Sequence, residues 1–289
     1  IPDGVTVVNG FGGCTALEKV VLPNNCNAIG SRAFSNTAIA NIEIPNSVTD
    51  IGSYTFGSCP NLKSITLSNT LTQISEQLFA GSGLESIIIP DAVTTIGSKA
   101  FENCKSLQEI TFGTGLKSII AAAFSGCTAL RKVTFNSVVT SGLGALRIPS
   151  LTTIAGPYAS EDGRCLIYNN ELSLFAPYGL TEYTIPDNVT SIGDSLFYDC
   201  KSLTNINIPE GVTTIKSYAF FNATSLEMIT IPSTVTTIGN YALYMSSYNS
   251  SKLEVYFEPL VPPTISSSTF DSYQRDLTIY VPVGALSAY

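Results

Sequence analysis

The chain of 289 residues has no histidine, no tryptophan and only two methionines, and charged residues make up just 12% of it. Without histidine there can be no Ser-His or Cys-His dyad and no imidazole metal ligand. The seven cysteines include no CxxC pair, so a tetrahedral zinc cluster has no basis in the sequence. An odd cysteine count also argues against a complete disulfide framework. Lys and Arg number 14 against 22 Asp and Glu, a net charge of −8, and no basic patch is present to neutralise a phosphate backbone. Nucleic acid is therefore not an expected partner. No run of eighteen apolar residues exists, so insertion of this stretch into a membrane is not expected, and no leader or lipid-attachment motif is expected within it. With so few charges, the surface must be made largely of Ser, Thr and Asn.

What the sequence does contain is a repeat. A leading apolar residue falls at Leu17, Ile39, Leu62, Leu84, Leu107 and Leu130 in steps of 22 or 23, and again at Leu180, Leu203 and Leu226. An internal period of this kind fixes the architecture before any single residue is interpreted. The copy Leu84–Ser106 is representative. It opens as L-x-x-I-x-I, whose alternation is that of a half-buried strand. Pro90 then ends the strand, because proline cannot donate to a ladder. Val93 and Ile96 follow as inward positions of a second short strand. Gly97 permits a bend, and Ala100-Phe101 begin a short turn of helix or 3-10 helix. One such unit cannot bury its apolar side alone, whereas stacking pairs each opening strand with its neighbours in a parallel sheet. The expected fold is a β-rich solenoid with parallel strands on one face and short strands and turns on the other.

Two irregularities interrupt the period. After Leu130 the next leading residue is read at Leu143, which leaves 37 residues before Leu180 and predicts an insertion of about 14. Within 156–179, Asp162-Gly163 is a turn dipeptide, and Asn169-Asn170 between two apolar runs predicts a β-hairpin. After Tyr244 the period fails again. A polar loop is expected over 245–252, then a strand from Leu253 and a terminal cap. The domain expectation is a solenoid over 1–252 with its hairpin insertion, and a strand and cap over 253–289 in the same structural unit. Residues 1–16 read as a shortened repeat. Ile1 to Thr6 align with the middle of a copy, so the chain is expected to start within a longer protein.

The repeat L-x-x-I-x-I-P-x-x-V-T-x-I-G-x-x-A-F-x-x-C is similar to the BspA-like subclass of leucine-rich repeats, known also from treponemal surface proteins. ESIIIPDAVTTIGSKAFENC and NIEIPNSVTDIGSYTFGSC carry the likeness, which covers most of 1–252. The resemblance implies a leucine-rich-repeat solenoid of the α/β horseshoe class and a secreted or cell-surface location. It also implies a protein or polymeric ligand, with host matrix among the candidates. It transfers no functional residues, since the shared motif is the repeat itself.

Individual residues read mostly as framework. Cys14, Cys59, Cys104, Cys127 and Cys200 each lie three residues after the repeat Phe, where other copies hold Thr37, Ser82, Ala223 or Ser246. That is a small, buried column, suited to free thiols. Cys104 and Cys127 lie on adjacent turns, close enough in principle for a bridge. Glu161-Asp162 read as a solvated turn, and no catalytic, cofactor or metal residues are assigned. Variable outward positions on the concave sheet are the better candidates for binding: Lys19, Glu43, Glu109, Lys132, Glu182, Asn205 and Asn207. No aromatic platform is expected there, as those columns show no Tyr before Phe257. Tyrosine is nonetheless crowded into the second half, either filling the hairpin and cap or marking an interface; Tyr168 and Tyr178 are the candidates. The expected function is a non-catalytic, monomeric surface protein that binds a macromolecule, the alternative being a spacer that displays another domain.

Overall fold

In the computed structural model, which describes residues 1–245, 252–270 and 277–289, each repeat passes through two short strands and a corner of turns. Most of the expected polar loop at 245–252 lies outside the described residues. The chain divides into two compact units, Ile1–Tyr158 and Ala159–Tyr289.

The first unit contains β1 (Val7–Val8), β2 (Ala28–Ile29), β3 (Asn41–Glu43), β4 (Asp50–Ile51), β5 (Ser64–Thr66) and β6 (Gln73–Ile74). They are followed by β7 (Ser86–Ile88), β8 (Thr95–Ile96), β9 (Glu109–Phe112), β10 (Ser118–Ile119), β11 (Lys132–Phe135) and β12 (Thr153–Ala155). All pairings are parallel and in register, for example Ile87 with Ile110 and Ile110 with Val133. On the long-strand face the order is β3-β5 and β7-β9-β11-β12; the short strands form β1-β2-β4 and β6-β8-β10. Alternation buries one side: in β7, Ile87 is buried between the exposed Ser86 and Ile88. The leading residues Ile39, Leu62, Leu84, Leu107, Leu130 and Leu151 form a fully buried column. Phe11, Phe34, Phe56, Phe79, Phe101 and Phe124 form another, with ring centroids 5.1–5.9 Å apart, close to the ~4.8 Å spacing between strands.

The corners are chained turns; among the described residues the only 3-10 helix is Leu143–Leu146. Each corner holds residues in the left-handed region, as at Lys99 (φ 54°) and Asn103 (φ 57°). That twist aims alternate N–H groups at the next repeat: Phe79 donates to Ala100 O, Gly81 to Glu102 O and Asn103 to Ser125 O. The residue after the repeat Pro is polar for a similar reason. Asn46 Oδ1 accepts from Asn69 N–H at 2.9 Å, and Asp91 Oδ1 from Thr114 N–H at 2.8 Å.

Leu143 is not a leading residue. It lies in the 3-10 helix, and Leu151 enters the column instead, because Lys132 pairs with Thr153 in the β11–β12 ladder. The Leu130 copy therefore spans 21 residues and the next 29, so the excess over a 23-residue repeat is about six rather than 14. The helix at the corner and the turn at Pro149-Ser150 delay the next apolar column, which spacing alone could not reveal. Gly142 makes this entry possible. Its φ is +85°, and a Cβ there would lie 1.7 Å from Ile119 O.

The second unit contains β13 (Cys165–Tyr168), β14 (Glu171–Phe175), β15 (Glu182–Thr184), β16 (Ser191–Ile192), β17 (Asn205–Asn207) and β18 (Thr214–Ile215). After these come β19 (Met228–Ile231), β20 (Thr237–Ile238), β21 (Leu253–Phe257) and β22 (Leu277–Tyr280). The expected hairpin is β13–β14, turning at Asn169 (φ 49°) and Asn170 (φ 61°), both left-handed as a type I′ turn requires. It does not merely project: β14 pairs in parallel with β16 and so serves as a short strand of the solenoid, giving β13-β14-β16-β18-β20. The long-strand face consists of β15-β17 and β19-β21-β22. The strand expected from Leu253 is β21. In β22, Ile279 stands in the column of the buried Ile229 and Val255 but is 45% exposed. Tyr289 folds back edge-on to Phe257 and donates its hydroxyl to Pro259 O.

Candidate binding surface

The outward columns of the first unit's long-strand face run through Asn41, Ser64, Ser86, Glu109, Lys132 and Thr153, and beside them Glu43, Thr66, Ile88, Thr111, Thr134 and Ala155. Lys19 is exposed just before Val21, and Glu43 is exposed on β3. Glu109 and Lys132 are cross-strand partners with a 3.4 Å ion pair. Both are about half exposed, so the pair adds little stability and its charges cancel locally.

The regular ladder of this face is interrupted between β5 and β7, although Glu85 N–H still donates to Lys63 O just ahead of them, and a trough of about 710 Å³ lies over β5, β7 and β9. Its floor and walls come from Ser64 to Leu67 and Ser86 to Pro90, with Glu109, Thr111 and Asn136 beyond. At its centre Ile88 is 72% exposed. Hydroxyls and amides surround this one large exposed aliphatic side chain, together with the carboxylates of Asp91 and Glu109. Of the candidates from sequence, only Glu109 lines the trough. Ile88 was visible as an outward residue, but the trough around it was not.

In the second unit Glu182 pairs with Asn205 and Thr184 with Asn207, which places three of the candidates side by side on β15 and β17. Tyr168 is 40% exposed at the end of β13, and Tyr178 is 51% exposed after β14. Tyr178 is positioned through its backbone: Arg164 Nη1 donates to Tyr178 O at 3.0 Å and to Ala176 O at 3.2 Å. The outward columns do carry an aromatic pair, contrary to the expectation of none before Phe257. Tyr256 and Tyr280 are register partners stacked with centroids 4.3 Å apart. The register shows why: Val255, not Phe257, aligns with the central Ile229, so Tyr256 points outward. Its hydroxyl donates to Glu254 Oε2 at 2.7 Å, which pushes its pKa up to about 12.

The cysteines are free thiols, and all but Cys14 are buried. Cys59, Cys104 and Cys127 each donate to the carbonyl of the preceding repeat's Phe at 3.1 Å. Burial raises the pKa of Cys104 to about 11 and that of Cys200 to about 12, so these thiols are inert toward nucleophilic chemistry. Cys165 lies 3.0 Å from the Tyr183 hydroxyl, where Tyr replaces the usual column Ile, and desolvation raises both groups. Asp162 accepts from Ser160 Oγ and Arg164 N–H, as in a closed turn. Among the described residues no three His, Cys, Asp or Glu side chains gather as a metal site would require, and no helix is long and apolar enough to cross a membrane.

The family described as BspA type leucine-rich repeat region matches residues 1–108, 72–159 and 171–280, in six copies. Among solved structures the chain is similar to the pneumococcal vaccine antigen PcpA, with 17% identity over 98% of this chain and 88% of that one, at a TM-score of 0.61. It is also similar to a leucine-rich cell surface protein from Faecalibacterium prausnitzii A2-165, with 21% identity, 98% and 90% coverage and a TM-score of 0.50. At these identities the likeness is one of fold. No protein of curated function matches the chain. Repeat geometry and family match agree, and the chain belongs to the BspA-type leucine-rich repeat family.

Proposed function

We propose that the chain is a non-catalytic binding module of a secreted or cell-surface protein, holding a macromolecular ligand against its long-strand face. The observation that carries this reading is the trough over β5, β7 and β9 with the exposed Ile88 in it. A large aliphatic side chain pointing into water contributes little to the fold, while a ligand lying across the strands would bury it. The rows of Ser, Thr and Asn on either side supply hydrogen bonds without large electrostatic cost, and Glu182, Asn205 and Asn207 provide a comparable polar strip in the second unit. The family and the cell-surface description of one structural neighbour support the surface location.

The test is binding of the purified chain to immobilised fibronectin, laminin and fibrinogen, measured by surface plasmon resonance. Micromolar binding that Ile88→Arg reduces about tenfold, worth ~1.4 kcal/mol, is the expected result. Absence of binding to all three, or binding indifferent to Ile88→Arg, removes this reading and leaves the spacer role.

A further inference from the structure

The corner face of the second unit carries an aromatic array that the fold does not require. Tyr198, Phe221 and Tyr244 stack in one column, with centroids 4.9 and 5.0 Å apart and planes within 10° and 6°. Tyr218 and Tyr241 stack beside them at 5.0 Å. The two columns meet at steep angles, 54° for Tyr218 with Phe221 at 5.5 Å and 67° for Tyr241 with Tyr244 at 5.7 Å, so the rings of one column are inclined to those of the other. None of the five is buried; Tyr198 is 43% and Tyr218 37% exposed.

The first unit serves as an internal control. Inter-repeat hydrogen bonds place Gly57, Ala80, Glu102 and Ser125 at the position of Phe221 and Tyr244. The left-handed position of Tyr218 and Tyr241 is filled there by Arg32, Tyr54, Gln77, Lys99 and Ala122. The corner is thus built equally well without rings.

A second asymmetry accompanies the first. Residues 1–158 hold nine acidic and nine basic side chains, whereas 159–289 hold thirteen acidic and five basic, so the whole net charge of −8 belongs to the second unit. The array itself is uncharged; Asp199 is exposed beside it and paired with Lys201 at 3.7 Å, so the negative charge belongs to the unit as a whole.

We propose that this face binds a basic, proline-rich polypeptide segment in the polyproline II conformation. Inclined aromatic rings with hydroxyl tips form the kind of groove on which such helices dock, their preformed shape limiting the entropy lost. The period fits: one polyproline II turn advances ~9 Å, close to two rungs of the array, whereas an extended strand repeats every ~6.8 Å. The acidic unit supplies attraction for cationic side chains flanking the prolines and disfavours anionic ligands. The proposal concerns a different unit and face from the trough and stands independently of it.

The experiment uses the full chain and a fluorescently labelled peptide of Pro-Pro-Arg repeats, titrated by anisotropy, with Pro-Pro-Glu repeats and a neutral gluco-oligosaccharide as further probes. Variants are Tyr218→Ser with Tyr241→Ser, and Tyr54→Ser as a control at the same backbone position in the first unit; circular dichroism verifies folding. The Pro-Pro-Arg peptide is expected to bind and to weaken as salt rises. The double variant should lose about 30-fold, the scale of interface hot-spot residues, while Tyr54→Ser binds as the parent does. Failure of the peptide to bind, equal binding by the folded double variant, equal binding of the Pro-Pro-Glu peptide, or tyrosine-dependent binding of the oligosaccharide in its place would each overturn the proposal.

Discussion

Replacing Phe101 by alanine isolates what the repeat core contributes. The ring is fully buried, stacked between Phe79 at 5.3 Å and Phe124 at 5.1 Å. The backbone on both sides is fixed: Phe79 N–H donates to Ala100 O at 2.8 Å, and Phe101 N–H to Ala123 O at 2.8 Å. The walls therefore cannot collapse into the space the ring leaves, and the full cavity term applies. Phe→Ala in such sites costs about 3–5 kcal/mol. Loss of two stacking partners, each worth ~0.5–1.5 kcal/mol beyond area, favours the upper half of that range. A loss of about 4–5 kcal/mol would consume much of an ordinary domain's 5–15 kcal/mol. Urea unfolding followed by far-UV circular dichroism, with Ile88→Ala as the exposed control expected within ~0.5 kcal/mol of the parent, measures it. Hydrogen exchange should report loss of protection concentrated in the repeats flanking Phe101, because each repeat leans only on its neighbours. A loss below about 1.5 kcal/mol would refute the argument that the column is rigidly walled.

Two further outcomes follow from the same framework. Folding raises the buried thiols, with Cys104 at about 11 and Cys165 and Cys200 at about 12, so their contribution is fully present below the unfolded thiol pKa of ~8.5 and is lost as pH rises toward those values. Each thiol should remove roughly 1.4 kcal/mol per pH unit above about pH 9, and unfolding free energies that stay flat from about pH 8 to 10 would contradict this. Gly142→Ala, forced to φ +85° with its Cβ against Ile119 O, should cost at least about 2 kcal/mol and lower Tm by several degrees; an unchanged Tm would mean the corner before the 3-10 helix can relax.

The architecture was legible because each signal in the repeat has one physical cause. Alternation in Ile87 and Ile110, the break at Pro90 and the small-residue position of Cys104 each map onto a strand, a strand end and a buried column. Leu143 misled because leucine is equally at home in a corner helix and in a sheet column, and only the pairing of Lys132 with Thr153 separates the two. The surface was less legible for a related reason. An outward residue is known from its parity, but what surrounds it depends on whether neighbouring strands keep a regular ladder, and the interruption between β5 and β7 leaves no mark in the spacing. The aromatic array was half visible: the crowding of tyrosine was plain, and read either as filling of the hairpin and cap or as an interface, but neither alternative placed Tyr198, Tyr218 and Tyr241 together on regular repeats.

The backbone of the corner sharpens the case for that array. The position of Tyr218 and Tyr241 requires φ near +59° and +56°, where glycine and asparagine fit at least cost and a bulky side chain is an outlier. The same position holds Arg32, Tyr54, Gln77, Lys99 and Ala122 in the first unit and Ser195 in the second, so the corner accepts varied side chains there, while glycine and asparagine appear at the neighbouring left-handed position, as at Gly81, Gly126, Asn36 and Asn103. What sets Tyr218 and Tyr241 apart is that adjacent repeats both carry a ring, stacked and partly exposed, in the unit that also concentrates the negative charge. Stacking within the array offsets part of the cost of that conformation, and the proposed polypeptide segment would cover the ring surface that stays exposed.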